Sequence, residues 1–313
     1  MKAHGRVCLV GEDLDWTGGT SILCGINLNI DVNITFTELD TVDINSDGVC
    51  CSFLVTGLNE QFDCDPFFRY IIAGLCVWHK SIKKIKAMKI CISSEIPIKS
   101  GLSSSAALYV ALFWELSRLY DIVLSQSYLC ELCHQAEAIY LNVVVGYMDF
   151  YACSSNGAIL FNEKTMQYKS IDIDFLKEEE LVLIYTGMST STKTINNLKK
   201  KRFIESESNL INYIQKGNEL VDKMVPYLLL GDIKMVGEKI IKAHELISKY
   251  LMVSTNEIDD IVQLCINSGA YGAKLTGCGK GGYIFCIINS MYLPNLESEL
   301  RKSSLKYILT NII

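Results

Sequence analysis

The chain has no apolar run long enough to cross a bilayer. Its longest, "YIIAGLCVW" (Tyr70 to Trp78), falls well short of the ~20 residues a spanning helix needs. It has no basic excess either: 29 Lys and Arg stand against 35 Asp and Glu, a formal net charge of −6. A nucleic-acid-binding surface is therefore not expected. Proline is scarce, four in 313 residues, so turns fall to Gly, Asn, Asp and Ser. Histidine is equally rare, with four, and His4, His79 and His244 show no ligand spacing. No Gly-Lys-Ser/Thr follows a glycine loop, which excludes a Walker A site. No Val-Ala-Ile-Lys accompanies a glycine-rich strand, which excludes the protein-kinase loop. Low-complexity tracts and internal repeats are absent. "MKAHGRVCLVGED" turns acidic where a signal peptide would continue apolar, so secretion is not expected.

What the chain does have is core-forming material. Half the residues are hydrophobic and 20% are charged, enough for one large domain or two ordinary ones. The thirteen cysteines are odd in number, scattered, and often inside apolar runs (Cys8, Cys24, Cys76, Cys286). Free buried thiols in a reducing, cytoplasmic location fit that pattern better than a disulfide framework.

Periodicity predicts strands over 6–10, 21–39, 87–97, 157–162 and 181–187. It predicts helices over 104–120 and 125–141, then a helix-rich stretch: 193–230 with an interruption, 234–251 and 255–268. "YGAKLTGCGKGGYIFCIIN" (Tyr271 to Asn289) reads as strand, glycine turn, strand. Strands and helices mix without regular βαβ alternation, which points to an α+β fold of layered sheets and helices. A domain boundary is placed near residue 180, giving units 1–180 and 181–313.

The segment "IPIKSGLSSSAALYVALFWEL" (Ile96 to Leu116) sets Gly and Ser directly before a helix. A helix start leaves about four N–H groups unpaired and carries roughly half a positive charge. Small residues there let an anion approach closely, as in phosphate sites. The plain alternative is a Ser N-cap with no ligand.

Taken together, four ordered segments resemble the GHMP kinase superfamily. "PIKSGLSSSAAL" is similar to its nucleotide-phosphate loop. "GRVCLVGEDLDWTGG" (Gly5 to Gly19) resembles the N-terminal motif in its galactokinase form. "AEAIYLNVVVGYMDFYA" (Ala136 to Ala152) resembles the galactokinase Ala-Glu…Gly-Ile-Met-Asp-Gln stretch. "KLTGCGKGGYIFCI" (Lys274 to Ile287) resembles the third, glycine-rich motif.

The resemblance implies a two-domain fold with the active site in a cleft, and transfer of the γ-phosphoryl of ATP, with Mg²⁺, to an alcohol. It implies Asp149 as catalytic base and Arg6 as its partner. Gly101, Leu102, Ser103, Ser104, Ser105 and Ala106 would bind phosphates, and Ser105 with Glu137 would hold Mg²⁺. Gly277 and Gly279, with neighbouring Gly281 and Gly282, would form a turn beside substrate. Glu12 and Asp15 match sugar-binding residues, and Asp13 and Gly146 lie beside them as further substrate contacts. Departures fall at the same end: Asp13 stands for His, Leu14 for Thr, Trp16 for Tyr, Tyr147 for Ile and Phe150 for Gln. These changes put galactose itself in doubt and leave a sugar or sugar derivative as acceptor, with the anomeric hydroxyl one candidate position.

"YTGMSTSTKTI" (Tyr185 to Ile195) looks more like mevalonate or heptose kinases. A mevalonate-type or homoserine-type kinase is therefore one rival. Three carboxylates in one loop argue against an acidic acceptor unless basic groups elsewhere compensate. The other rival is a non-catalytic, galactokinase-like ligand-binding regulator. Neither nucleic acid nor membrane is expected as a partner. "CELCH" (Cys130 to His134) has the spacing of haem attachment or half a zinc site, but Leu129, Leu132, Cys133, Ala136 and Ile139 make it an apolar helical stripe.

Overall fold

The structure, a computed structural model, describes residues 1–58, 65–188 and 191–313. Seven strands form the first sheet: β1 (Lys2–Val10), β2 (Thr20–Phe36), β3 (Thr41–Ser46), β4 (Val49–Leu54), β5 (Met88–Ser94), β6 (Ala158–Asn162) and β7 (Gln167–Ile171). Its spine is the 17-residue β2. β1 runs antiparallel along one edge of β2, while β5 and β6 share the other edge end to end. Residues 311–313 fill the gap between them, with Ile26 bridging Ile312 and the Ile313 N–H donating to Gly25 O. The second sheet has the order β11 (Tyr307–Thr310), β8 (Glu180–Tyr185), β10 (Tyr283–Ile288), β9 (Ala270–Leu275), all antiparallel. The mixed α+β architecture expected from the sequence is what the structure has.

The first-sheet helices are α1 (Pro66–Ser81), α2 (Ser104–Leu119), α3 (Gln126–His134) and α4 (Met148–Cys153). The apolar run at 70–78 belongs to α1, which starts with Asp65 accepting from Phe67 N–H and Pro66 in the first turn. α1 and α2 approach so closely at Gly74 that a Cβ there would lie 2.6 Å from Leu112 Cδ2. α3 continues into a π turn, Gln135–Tyr140, which carries Glu137. After the short α5 (Asp174–Lys177), α6 (Thr192–Ile204) and α7 (Ser208–Leu230) account for the interrupted stretch read at 193–230. α8 (Ile233–Leu246) and α9 (Asn256–Asn267) pack on β9, and α10 (Leu293–Lys302) follows β10.

The twelve cysteines among the described residues are free thiols, eight of them buried, including Cys130 and Cys133 on α3. Among the described residues no helix is long and apolar enough to cross a membrane. Two residues of the "YTGMSTSTKTI" segment, 189 and 190, lie outside the described residues.

Candidate active site

A cavity of about 530 Å³ opens where the N-terminus of α2, the loop after β1, the segment before α4 and the β9–β10 turn converge. At one end lies the glycine-serine loop. Ser103 occupies the cap position of α2 but is left-handed (φ 62°) and makes no capping bond, and its Oγ is buried without a partner. The plain-cap alternative is therefore not what the structure shows. Ser103, Ser104 and Ser105 lie on the cavity wall, at a helix start whose first-turn N–H groups find no acceptor within the helix itself. Leu102 and Ala106 turn into the core instead, though Leu102 O accepts the Arg6 backbone N–H at 3.1 Å.

Two glycines allow this loop to meet the third motif backbone to backbone. Gly101 has φ 77°, and a Cβ there would lie 2.3 Å from Thr276 O; one on Gly277 would lie 2.4 Å from Gly101 Cα. No other residue fits such an approach. Gly277 lines the cavity. Gly279, expected beside substrate, does not: it packs on Val253, and a Cβ would meet that side chain at 2.4 Å. The reason is the neighbouring Lys280 N–H, which donates to Val253 O at 2.7 Å and turns the loop away.

Arg6 sits on β1 just past a register shift between His4 and Arg6, the kind of irregularity that re-aims a side chain. Its guanidinium donates to both Asp149 oxygens, Nε to Oδ1 at 2.7 Å and Nη2 to Oδ2 at 2.9 Å. Nη1 donates to Gly101 O at 2.7 Å. Burial alone would favour neutral Arg6, but Asp149 and Glu12 outweigh it and hold the charge. Asp149 opens α4 and is 31% exposed at its side chain, so its carboxylate reaches the cavity while its partner stays buried.

The three carboxylates of the loop after β1 have three different fates. Glu12 is 2% exposed; its Oε2 takes Lys274 Nζ at 2.7 Å and its Oε1 takes Gly277 N–H at 2.8 Å. Asp13 pairs with Lys199 Nζ at 2.5 Å, and Trp16 Nε1 donates to it at 3.4 Å. Asp15 meets no cation among the described residues. Burial, then the charges of Asp149, Glu163 and Asp13, push its carboxyl well above the usual range; the Trp16 backbone N–H pulls weakly the other way. Gly146 is required at its side, since a Cβ would lie 2.2 Å from Asp15 Oδ2.

Glu137 is buried, and its carboxyl is pushed up to about 7 by burial and by Asp149, against the Ser105 hydroxyl that hydrogen-bonds it. A buried carboxylate beside a hydroxyl on the phosphate-loop wall suits a hard cation that keeps most of its waters. No cluster of three or more His, Cys, Asp or Glu that could hold a metal occurs among the described residues.

Five residues of the site and its surroundings are not picked out from the sequence. Lys274 lies inside the third motif, where a lysine on an otherwise apolar strand is a usable signal. Lys199 lies in the run Lys199-Lys200-Lys201, which reads as a solvated face. Asn196 and Thr192 precede it by three and seven positions on the same face of α6, and both line the cavity. Glu163 accepts the Tyr147 N–H at 3.2 Å.

The glycine-serine loop and the arginine-held carboxylate thus face one cavity, and Arg6 joins them. Residues 69–157 match the GHMP kinases N terminal domain and residues 224–304 match the GHMP kinases C terminal domain; the chain belongs to the GHMP kinases. It is 27% identical to a galactokinase of Pyrococcus furiosus, covering 92% of this chain and 88% of the relative. It is 26% identical to a mevalonate kinase of Thermococcus sibiricus, covering 96% and 90%. The fold is shared with solved structures of Lactococcus lactis galactokinase complexed with galactose (TM-score 0.87, 20% identity, 99% of this chain and 92% of that one) and Methanococcus jannaschii mevalonate kinase (TM-score 0.83, 22% identity, 100% and 98%).

Proposed function

We propose that the protein transfers the γ-phosphoryl group of ATP to a hydroxyl of a sugar or sugar derivative. The observation that carries this reading is the Arg6 guanidinium, which grips both oxygens of Asp149 and, through Nη1, the Gly101 carbonyl of the glycine-serine loop. One side chain thus holds the carboxylate at a set position against the anion cradle, and positioning is most of what phosphoryl transfer asks of a protein.

Asp149 accepts the acceptor hydroxyl proton as that oxygen bonds to the γ-phosphorus and the bond to the bridging oxygen of ADP breaks. Arg6 stays buried, keeps Asp149 oriented and faces the charge that develops. The α2 N-terminus and Ser103 to Ser105 take the phosphate oxygens. Ser105 and Glu137 would hold Mg²⁺, which when bound neutralises phosphate charge.

Galactokinases among the relatives, and a galactokinase neighbour solved with galactose, support a sugar acceptor. Mevalonate kinases stand beside them. With Glu12 and Asp13 paired to lysines and Asp149 to Arg6, the charge argument against an acidic acceptor narrows to Asp15, and it still favours a sugar. The test is ADP release from MgATP across neutral hexoses, uronic acids, amino sugars, heptose phosphates, polyols, mevalonate and homoserine. Turnover with a sugar that Asp149→Asn abolishes supports the reading. Nucleotide and sugar binding without ADP would instead make the protein a ligand-binding regulator.

A further inference from the structure

At the acceptor end of the cavity one buried carboxyl group, Asp15, has no cation partner among the described residues. Arg6 is engaged by Asp149, Lys274 by Glu12 and Lys199 by Asp13. Asp15 is 5% exposed, lines the cavity and faces no cation among the described residues. Glu163, whose charge helps raise Asp15, accepts the Tyr147 N–H, and burial pushes its own carboxyl up to about 7. The remaining cation on the wall, Lys99, belongs to the glycine-serine loop at the phosphate end.

A second, independent feature lies on the same wall. Asn196, 7% exposed and cavity-lining, donates its Nδ2 to Val144 O at 2.9 Å, which fixes the amide orientation. Its Oδ1 is buried with no hydrogen-bond donor among the described residues. Val144 is two residues from Gly146, where any Cβ would meet Asp15 Oδ2 at 2.2 Å, and Asn196, Val144, Gly146 and Asp15 all line this cavity. An uncompensated carboxyl group and an unsatisfied carbonyl oxygen on that wall call for the same ligand chemistry: a positively charged hydrogen-bond donor.

We propose that the acceptor is an amino sugar in its protonated form, its ammonium taken by Asp15 as an ion pair and by Asn196 Oδ1 as a hydrogen bond. This rests on the sugar-kinase reading and narrows it. A neutral hydroxyl would satisfy Asn196 but supply no countercharge with which the buried Asp15 could ionise. A carboxylate or phosphate at this place would add to the repulsion. Burial, then the charges of Asp149, Glu163 and Asp13, raise the Asp15 carboxyl well above its usual range, so pairing with an ammonium there favours proton release.

The experiment compares matched acceptors with the intact protein: D-galactosamine, D-glucosamine and D-mannosamine, each against its parent hexose and its N-acetyl form. ADP release gives kcat/KM. Calorimetric binding in two buffers of different ionisation enthalpy gives affinity and proton count. At least one amino sugar is expected to exceed both of its neutral partners tenfold or more in affinity and kcat/KM, with proton release on binding. Asp15→Asn should reduce that gap to threefold or less. Should that variant fail to fold, the wild-type series and its proton count decide alone. Neutral sugars bound and turned over as well as the amino forms would overturn the inference and leave the kinase reading standing. Preferred amino-sugar binding without ADP release would overturn the kinase reading and keep the binding chemistry. Absence of binding by every amino sugar would overturn the inference.

Discussion

Lys274 Nζ lies 2.7 Å from Glu12 Oε2, with Lys274 0% and Glu12 2% exposed at their side chains. The pair joins the third motif to the first across 262 positions of sequence. Glu12 also takes the Gly277 N–H, so it acts as a clamp between the two glycine loops and not as a free hydroxyl reader. Glu12→Gln and Lys274→Met each strand one buried charge and should cost about 3–5 kcal/mol. Changing both together should cost less than the sum of the two. Urea unfolding of the four proteins checks this, and additive losses would argue against the clamp.

Asp149 differs in kind, because it reaches the cavity. Asp149→Asn keeps the shape and one acceptor oxygen for Arg6. We expect a melting midpoint close to wild type and a ~10²–10⁴-fold fall in kcat with little change in ATP binding. Near-normal turnover would remove Asp149 from the base role.

Gly101→Ala introduces a Cβ 2.3 Å from Thr276 O at a residue with φ 77°. The glycine loops must part to admit it. ATP affinity should fall at least tenfold, while the distant β3–β4 hairpin keeps its hydrogen-exchange protection. Unchanged nucleotide affinity would mean that the close approach of the loops does not shape the cradle.

Glu137 supplies a pH signature in the protein free of nucleotide and metal. Its carboxyl is raised by burial to about 7 from 4.5. Between those values the folded state holds a proton that the unfolded chain has lost, so stability declines as pH rises through this window. The full decline is on the order of 3 kcal/mol. Glu137→Gln should remove it, making the variant the more stable protein at pH 8 and leaving the two alike near pH 4. Mg²⁺ should stabilise the wild type at pH 8 more than the variant.

Local physics makes much of this chain legible in its sequence. Glycine and serine ahead of an apolar helix announce a close-packed loop at a helix start, and the structure sets that loop on the cavity wall. The strands Lys2–Val10 and Ala158–Asn162 and the helices Ser104–Leu119 and Asn256–Asn267 lie where period alone puts strands at 6–10 and 157–162 and helices at 104–120 and 255–268. Some elements do not follow. α1 is apolar on nearly every side, so the polar face that reveals a helix is missing and only an apolar run is visible. The β3–β4 hairpin carries its signal in Asp47-Gly48, both at positive φ, a turn pair whose flanking strands are too short and polar to stand out.

The sequence by itself determined which motifs occur, their order, and that a loop with Glu12, Asp13 and Asp15 precedes a glycine-serine cradle. Only the tertiary structure decided what each of those carboxylates does. Glu12 and Asp13 met lysines from β9 and α6, and Asp15 met Gly146 with no cation among the described residues. Ion pairing between residues far apart along the chain is a property of packing, and no local pattern separates Lys199 from the two lysines that follow it. Which acid remains uncompensated in the cavity, and so what charge an acceptor should carry, is therefore set by the fold.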